Sequence, residues 1–505
     1  MAQSGKRAIN KIAEALLGGS TRRVSYAFRT ELEGPLREQG DGAGALADAM
    51  AGWSVRGVHI HESISAPYLA EIDLSGEESL DPGELVGKSC LLTIQRDEHR
   101  EDLCGLITRV TLGGKIRNRL QARICVEPAL RALEQRVNSR IFSEMSSVEI
   151  IEQVLEESLA GYNRGFRNQL QAEQSAGSGS VYPVREYTVQ YRESDLAFIT
   201  RLMERDGISY FFDHTGEYEE MVLVDTSDQY PAIEGDQDSP VPLVDVETEQ
   251  EALSIFHLRS RVTSTSVTVR DYDWTRPQKP FESRVEPAEP PDPDREVYHH
   301  SELNITGYDA GAAAYAEVDD QRQAEVMGQT LAQSRELFVG RGTVTGFRPG
   351  KTFKLVNAAS EEQSYLLTGV THELPLAKAL EAAADGPSAA ADDAGSAKTT
   401  LTYRNGFECI RFDENVPYRL PPRTDKPRIT GMQTATVVGP SPEDVYTDEH
   451  GRIKVRFHWD RLATGDDKSS CWIRVAQSWA GTGFGTLFIP RIGMEGLVTF
   501  LEGDP

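Results

Sequence analysis

The chain has 505 residues, more than one hydrophobic core accommodates, so we expect about three or four domains. Its net charge of −26 argues against binding to nucleic acid or anchoring at an anionic membrane, because both recruit basic surfaces. The acidic charge is compatible with binding to a basic protein partner. Hydrophobic residues make up 39% and charged residues 26%, as is usual for a folded protein.

The cysteines argue against covalent or zinc cross-links. There are five of them, and none is spaced as a CxxC pair. Disulfide frameworks and structural zinc sites both need paired ligands, so we expect free thiols in a reducing compartment. They are Cys90, Cys104, Cys125, Cys409 and Cys471.

The amino-terminal segment lacks the apolar block of a signal peptide. Its best run, AINKIAEALLGG, is interrupted by Asn10, Lys11 and Glu14 and is typical of a short amphipathic helix. No stretch approaches the roughly 18 apolar residues of a membrane-spanning helix. We therefore expect assembly in the cytoplasm, and any export by a route that needs no signal peptide.

The first half of the chain divides into three parts. Residues 1–21 are predicted to be a tail. Residues 22–126 carry short alternating apolar runs separated by Gly and Pro, which predicts a β-barrel. Residues 127–245 are predicted to be an α/β region, in which Ser146 and Glu149 form a capping box before an amphipathic helix.

The clearest pattern of this region lies in residues 185–214. Alternating Tyr and Val residues indicate a strand, Ser194 can cap the helix that follows, and Gly207 can end it. A second strand follows, so we predict a strand, helix, strand unit.

Residues 246–376 are predicted to form a second β-barrel with a long Ala/Gln-rich helix from about 310 to 338. No convincing sequence repetition relates the two β units. Residues 377–427 are predicted to be a linker and extended connection, because 377–398 are mostly Ala, Asp, Gly and Ser and cannot offset the entropy of ordering.

Residues 428–505 are predicted to be a small barrel of the oligonucleotide/oligosaccharide-binding (OB) type. Short apolar runs with Gly-rich turns suggest five strands, at 434–439, 451–460, 471–477, 486–492 and 496–503.

No catalytic, cofactor-binding or metal-binding residue is predicted. The segments 83–89 and 346–352 end in Gly-Lys-Ser and Gly-Lys-Thr, but three residues separate their glycines where a phosphate-binding loop has four. Each also leads into a strand instead of a helix. His61-Glu62 and His372-Glu373 supply only half of a zinc-binding HExxH helix.

Several long motifs together resemble the VgrG family, the spike proteins of type VI secretion systems. They include YTVQYRESDLAFITRLMERDGISYFFDH at 187–214, VYTDEHGRIKVRFHWDR at 445–461 and IPRIGMEGLVTFLEGDP at 489–505. The resemblance extends from about residue 24 to residue 505.

The resemblance implies a mainly β protein: tandem phage-tube-like barrels with an α/β insertion, as in a phage tail hub, followed by an OB-fold barrel. It implies a structural homotrimer, not an enzyme, that sits on the hexameric Hcp tube and adapts six-fold to three-fold symmetry. On sheath contraction it would puncture the target membrane and carry effectors. In this family a β-helical needle with a PAAR-type tip protein follows LEGDP, so we expect this chain to stop before the needle.

Force transmission through a trimer requires apolar interfaces. Aromatic residues of the last domain are candidates for such an interface, or alternatively for the barrel's own core. They are Phe457, Trp459, Trp472, Trp479 and Phe484.

Three other functions stay open. A contractile phage tail or an extracellular injection particle uses the same hub fold. A cell-wall glycan hydrolase would need an inserted catalytic domain, and no segment of this chain resembles one. Binding of glycans or oligonucleotides is permitted by an OB fold, although no binding surface is visible in the sequence.

Overall fold

The computed structural model describes residues 24–31, 53–77, 79–96, 99–116, 118–171, 182–233, 240–244, 250–279, 281–286, 293–301, 305–309, 314–356, 361–374, 403–481 and 483–505. The predicted tail at 1–21 and the Ala-rich segment at 377–398 lie outside these residues. Within the described part, no helix is long and apolar enough to cross a membrane.

The first β unit is an antiparallel sheet with one short helix. Its elements are β1 Val24–Thr30, β2 Trp53–Ser63, β3 Ala66–Gly76, α1 Pro82–Leu85, β4 Ser89–Arg96, β5 His99–Ile116 and β6 Arg119–Glu127. The strand order is β1-β4-β5-β6-β3-β2. Alternate residues of these strands form one apolar core that includes Phe28, Ile72 and Leu92.

The α/β region follows. Its elements are a 3-10 helix at Ala129–Gln135, β7 Val137–Met145, α2 Ser147–Leu159, β8 Phe166–Asn168, β9 Arg185–Ser194, α3 Asp195–Asp206, β10 Ser209–Asp213 and β11 Glu220–Val224. The Ser146 and Glu149 capping box is confirmed, as are the Ser194 cap of α3 and its end at Gly207, which has φ +69°. Helices α2 and α3 share an apolar core with β10 and β11.

The second β unit contains most of the remaining strands. Its elements are β12 Leu253–Ser260, β13 Ser266–Asp271, β14 Phe281–Val285, β15 Glu296–Ser301, β16 Ile305–Asp309, β17 Ala314–Val318, α4 Asp320–Gln333, β18 Glu336–Gly342, β19 Thr352–Val356, β20 Glu362–Leu374 and β21 Arg404–Arg411. The helix is shorter than the predicted 310–338. At the amino-terminal side, Ala314–Val318 pair with β16 as strand β17, and this pairing overrides their helical preference. At the carboxy-terminal side, β18 begins at Glu336, soon after α4 ends.

The two β units repeat one topology, although no repetition is evident in the sequence. The order β4-β5-β6-β3-β2 of the first unit recurs as β19-β20-β21-β18-β12 in the second. The β-bulges recur as well: the one at Thr108 in β5 matches the one at Thr368 in β20, and the one at Arg56 in β2 matches the one at Ser254 in β12. We therefore treat the two units as structural duplicates.

The two segments that resemble phosphate-binding loops are equivalent turns of this duplication. Gly87 N donates to Ile107 O at 2.8 Å, and Gly350 N donates to Leu367 O at 2.9 Å. Both glycines have positive φ, +86° and +80°. Each turn leads into a strand, as predicted.

The units join directly in one 11-stranded sheet, because β2 of the first pairs with β20 of the second. Ile60 lies opposite His372 in this junction, and their exposed fractions are 0% and 1%. Burial, followed by the charge of Arg348, lowers the pKa of His372 to about 3, so this histidine is neutral. Its Nδ1 lies 2.6 Å from the Tyr403 hydroxyl.

The C-terminal domain contains β22 Gln433–Val438, β23 Lys454–Phe457, β24 Ala480–Gly481, β25 Phe484–Gly485 and β26 Glu495–Val498. Two of the five predicted strands are absent. Segment 471–477 makes only a single bridge, between Ile453 and Ile473, and segment 486–492 is not a strand. Alternating apolar residues predict an extended chain, but a β-strand also needs a partner strand for its hydrogen bonds. Among the described residues, neither segment has such a partner along its length.

A buried ion cluster ties α3 to α4. Arg322 Nη2 lies 2.6 Å from Asp206 Oδ1 and 2.6 Å from Asp319 Oδ2. Burial opposes ionisation of Asp206, but the guanidinium groups of Arg322 and Arg185 outweigh it and lower the pKa of Asp206. The cluster therefore holds a charged carboxylate away from water.

Replacing Arg322 with Met should destabilise this joint by about 3 kcal/mol or more, because it leaves buried carboxylates without their partner. Amide hydrogen exchange of α3 measures the loss. Arg270→Met is the control, since its ion pair with Glu282 is about half exposed and should contribute less than about 1 kcal/mol. Equal effects of the two variants would contradict this account.

The duplicated turns provide a second matched pair. The positive φ at each position should make both Gly87→Ala and Gly350→Ala cost at least about 1 kcal/mol of stability. A Cβ at Gly350 would also lie 2.6 Å from Phe211 Cγ, whereas nothing lies within 4 Å at Gly87. We expect the lower thermal unfolding midpoint for Gly350→Ala, and the opposite order would refute the description of these turns.

Candidate functional site

The core of the C-terminal domain takes two of the five candidate aromatic residues. Phe457 is 1% exposed and packs with Ala435, Val437 and Val455. Trp459 stacks on Phe457 with ring centroids 5.1 Å apart. Phe457 thus lies in the core of the domain, and Trp459 is partly buried beside it.

Trp459 also attaches the C-terminal domain to the α/β region. Its Nε1 donates to Gln433 Oε1 at 2.7 Å, and Gln433 Nε2 donates to the hydroxyl of Tyr191 in β9 at 2.8 Å. The Tyr191 and Trp459 rings meet edge to face at 5.4 Å. An aromatic contact backed by two hydrogen bonds fixes one domain against the other.

Trp472 has an intermediate position. It is half-buried, its ring lies 4.9 Å from that of Tyr446, and Lys454 Nζ lies 5.1 Å from its centroid. Trp472 therefore packs against neighbouring side chains of its own domain.

Trp479 and Phe484 face solvent instead. Their exposed fractions are 66% and 60%, and their rings contact each other at 5.7 Å. The β24 and β25 hairpin presents them. Gly485 has φ +144° and lies against the backbone of Trp479, so the turn requires a residue without a side chain.

Five more large apolar side chains in the same stretch are at least half exposed. They are Leu487, Phe488, Met494, Leu497 and Leu501. Together with Trp479 and Phe484 we call these residues the apolar face.

Polar bonds hold part of the apolar face in place. The Gln477 side chain donates to Phe488 O at 3.2 Å and accepts from Phe488 N at 3.0 Å. Thr486 N donates to Trp479 O at 2.9 Å. The backbone is therefore specifically ordered while its large side chains point outward.

This surface suits protein contact. Exposed apolar clusters of aromatic and aliphatic residues are typical of protein interfaces. Within the described ranges, no group of three or more His, Cys, Asp or Glu side chains is arranged to hold a metal ion. Sequence reasoning found two members of the face and missed five. Four of the five lie in TLFIPRI and GLVTFLEG, which have the same alternation as buried barrel strands.

Two known families match the chain. Residues 61–375, more than half of its length, match the phage tail baseplate hub (GPD) family. Residues 436–505 match the type VI secretion system/phage-baseplate injector OB domain.

Curated relatives include type VI secretion system spike proteins of Pseudomonas aeruginosa. VgrG4b is 34% identical over 450 residues, covering 88% of this chain and 52% of the relative. VgrG1b is 32% identical, covering 88% and 56%. A Vibrio cholerae relative named actin cross-linking toxin VgrG1 is 29% identical, covering 89% and 39%. The chain spans about half the length of the spike proteins.

Solved structures show the same fold. The E. coli c3393 protein, described as a type VI secretion component similar to phage T4 tail proteins gp27 and gp5, superposes with a TM-score of 0.58 at 19% identity, covering 90% of this chain and 94% of that one. A Francisella PdpA-VgrG complex gives a TM-score of 0.53 at 8% identity, covering 94% and 76%.

These matches confirm the predicted fold class: mainly β, tail-hub-like units with an α/β insertion, and a C-terminal OB fold. The chain therefore belongs to the phage tail baseplate hub (GPD) family, and it is similar to the VgrG spike proteins of type VI secretion systems.

Proposed function

We propose that this chain is the hub and OB body of a trimeric type VI secretion spike. The single observation that supports this proposal best is the apolar face. This chain belongs to a spike and hub family, and its OB domain leaves large aromatic and aliphatic side chains exposed on an ordered backbone. A threefold assembly would bury them against neighbouring copies.

The face offers apolar surface for association. Its three aromatic residues, Trp479, Phe484 and Phe488, are 60 to 71% exposed and present roughly 400 Å² of surface. Burying that area is worth about 10 kcal/mol per chain at about 25 cal/mol per Å². Association costs about 4 to 15 kcal/mol, so a stable trimer also needs the aliphatic members of the face and contacts elsewhere in the chain.

The duplicated β units support the symmetry part of the proposal. Each chain contains two units of one topology. Three chains then supply six equivalent units, which match the six subunits of an Hcp ring. The spike would in this way seat a three-fold assembly on a six-fold tube.

The remaining functions belong to the whole machine. We propose that the spike is assembled in the cytoplasm, is driven outward without a signal peptide, punctures the target membrane, and carries effectors with a PAAR-type tip protein. The similarity to named spike proteins supports this. For residues 1–505 we propose a structural and non-catalytic role.

A hub of a contractile phage tail or extracellular injection particle is the second candidate. The matched OB family includes phage-baseplate injectors as well as type VI secretion systems. The type VI assignment is preferred because the relatives at 30 to 34% identity are named type VI spike proteins. Neighbouring genes distinguish the two: sheath-recycling ATPase and membrane-complex genes support type VI, whereas capsid genes support a phage.

Light scattering should give the mass of three chains. The double variant Leu487→Ser and Phe488→Ser should weaken the trimer at least tenfold, because it removes two of the most exposed apolar side chains. Tyr298→Ser, at a 53% exposed aromatic residue of β15, is the control and should leave the trimer intact. A wild-type monomer at all concentrations, or an unaffected double variant, would refute the proposal.

A further inference from the structure

A cleft opens where three parts of the chain meet. The start of β5 lines it from the first β unit, β8 and β10 line it from the α/β region, and the turn at 348–351 lines it from the second β unit. Its volume is about 720 Å³, within the range of about 300 to 1,000 Å³ that is usual for a small-molecule site. We call it the junction cleft. Its lining includes Asp102, Arg167, Phe211, Phe212, Pro349 and Lys351.

One wall of the junction cleft is apolar. Phe211, Phe212 and Pro349 contribute to it, and the Phe212 ring packs edge to face on Tyr68 at 5.2 Å. The turn at Gly350 rests directly on this wall, because a Cβ at that position would lie 2.6 Å from Phe211 Cγ. The cleft therefore has a fixed apolar wall against which the uncharged part of a ligand can pack.

The charges of the cleft do not balance. Its lining contains four cationic side chains, and the three arginines among them each have an acidic partner. The shortest distances are 3.1 Å from Arg100 Nε to Asp102 Oδ1, 2.6 Å from Arg167 Nη2 to Asp213 Oδ2, and 3.7 Å from Arg348 Nε to Glu101 Oε2. The fourth cation, Lys351, is partly buried, and among the described residues its ammonium group forms no ion pair or hydrogen bond.

The duplication shows what such a lysine pairs with. Lys351 is the equivalent of Lys88, because Leu367 N donates to Lys351 O at 3.0 Å just as Ile107 N donates to Lys88 O at 2.9 Å. The Lys88 ammonium has an acidic partner in its own unit, since its Nζ lies 3.7 Å from Glu31 Oε1. Two equivalent turns thus present equivalent lysines, and one of them has a carboxylate beside it.

The neighbouring segment explains the difference. In the first unit, β1 ends beside the turn with Thr30 opposite Cys90, and Glu31 follows it. In the second unit, the segment beside the turn is Pro231 and Ala232, of which Ala232 bridges to Thr352. Neither of these residues carries a charge. The second turn therefore presents its lysine to the cleft without the carboxylate that the first turn has.

We propose that the junction cleft binds a small organic carboxylate. The carboxylate pairs with Lys351, and the apolar body of the ligand lies against Phe211 and Phe212. A singly charged group suits the site, because one cation is unmatched. A doubly charged phosphate would bring a second negative charge close to Asp102 and Asp213. One chain supplies the whole lining, so this site is independent of the proposed trimer.

Binding to the wild-type 505-residue chain tests the ligand class. Saturation-transfer difference NMR compares N-acetyl-L-phenylalanine with N-acetyl-L-phenylalaninamide, which has the same apolar body and no carboxylate. The acid should bind saturably and at least tenfold more tightly than the amide, because it forms a charged hydrogen bond with the lysine. Inorganic phosphate at the same concentration should not displace it. Equal binding of acid and amide, or displacement by phosphate, would overturn the proposal.

The duplicated lysine provides the matched control for the site. Lys351→Gln should weaken binding of the acid at least tenfold and leave binding of the amide unchanged. Lys88→Gln, at the equivalent turn outside the cleft, should leave both unchanged. Unchanged binding of the acid in Lys351→Gln, or equal losses in the two variants, would place the ligand elsewhere and overturn the proposal.

A variant that supplies the missing carboxylate tests the comparison of the two turns. Ala232 is exposed and lines the cleft, so Ala232→Glu should be tolerated and should pair with Lys351 as Glu31 pairs with Lys88. Binding of the acid should fall at least tenfold. Ala232→Gln has the same size without the charge and should retain binding. Full binding in Ala232→Glu, or an equal loss in Ala232→Gln, would contradict the role of the unmatched lysine.

Discussion

Burial of apolar surface against other copies is the interaction on which the proposed trimer depends. The apolar face exposes Trp479, Phe484 and Phe488 on a backbone that hydrogen bonds hold in order, so the chain does not collapse to cover them. Folding is complete within each unit, and the remaining apolar surface is available for assembly. A spike that transmits thrust, as we propose for this chain, would benefit from this arrangement, because obligate interfaces resemble the packed interior of a domain.

The two β units of the chain are structural duplicates, which also supports assembly from several copies. One topology occurs twice, with bulges at corresponding positions and equivalent Gly-Lys turns at Gly87 and Gly350. The two units also meet through a defined pair of strands, β2 and β20. The Trp459, Gln433 and Tyr191 contact holds the OB domain against the α/β region.

Local features were predictable from the sequence and long-range ones were not. The capping box at Ser146 and the end of α3 at Gly207 depend on neighbouring residues, and both were predicted correctly. The helix predicted at 310–338 and the strands predicted at 471–477 and 486–492 were wrong in extent or type, because pairing with distant segments decides such stretches. The tandem barrels were expected from the resemblance alone, although a signal of the duplication was present in the sequence: the two Gly-Lys-Ser/Thr turns were compared with phosphate-binding loops and not with each other. For the apolar face, alternation indicated extended chain but could not tell a residue buried in its own barrel from one that faces another copy.

Electron microscopy of the purified 505-residue chain, viewed along its symmetry axis, tests the central claim most directly. The account predicts particles of three chains in which six similar β units form a closed ring above three OB domains that contact one another through residues 479–501. Single chains, or assemblies in which those residues remain in solvent, would contradict it.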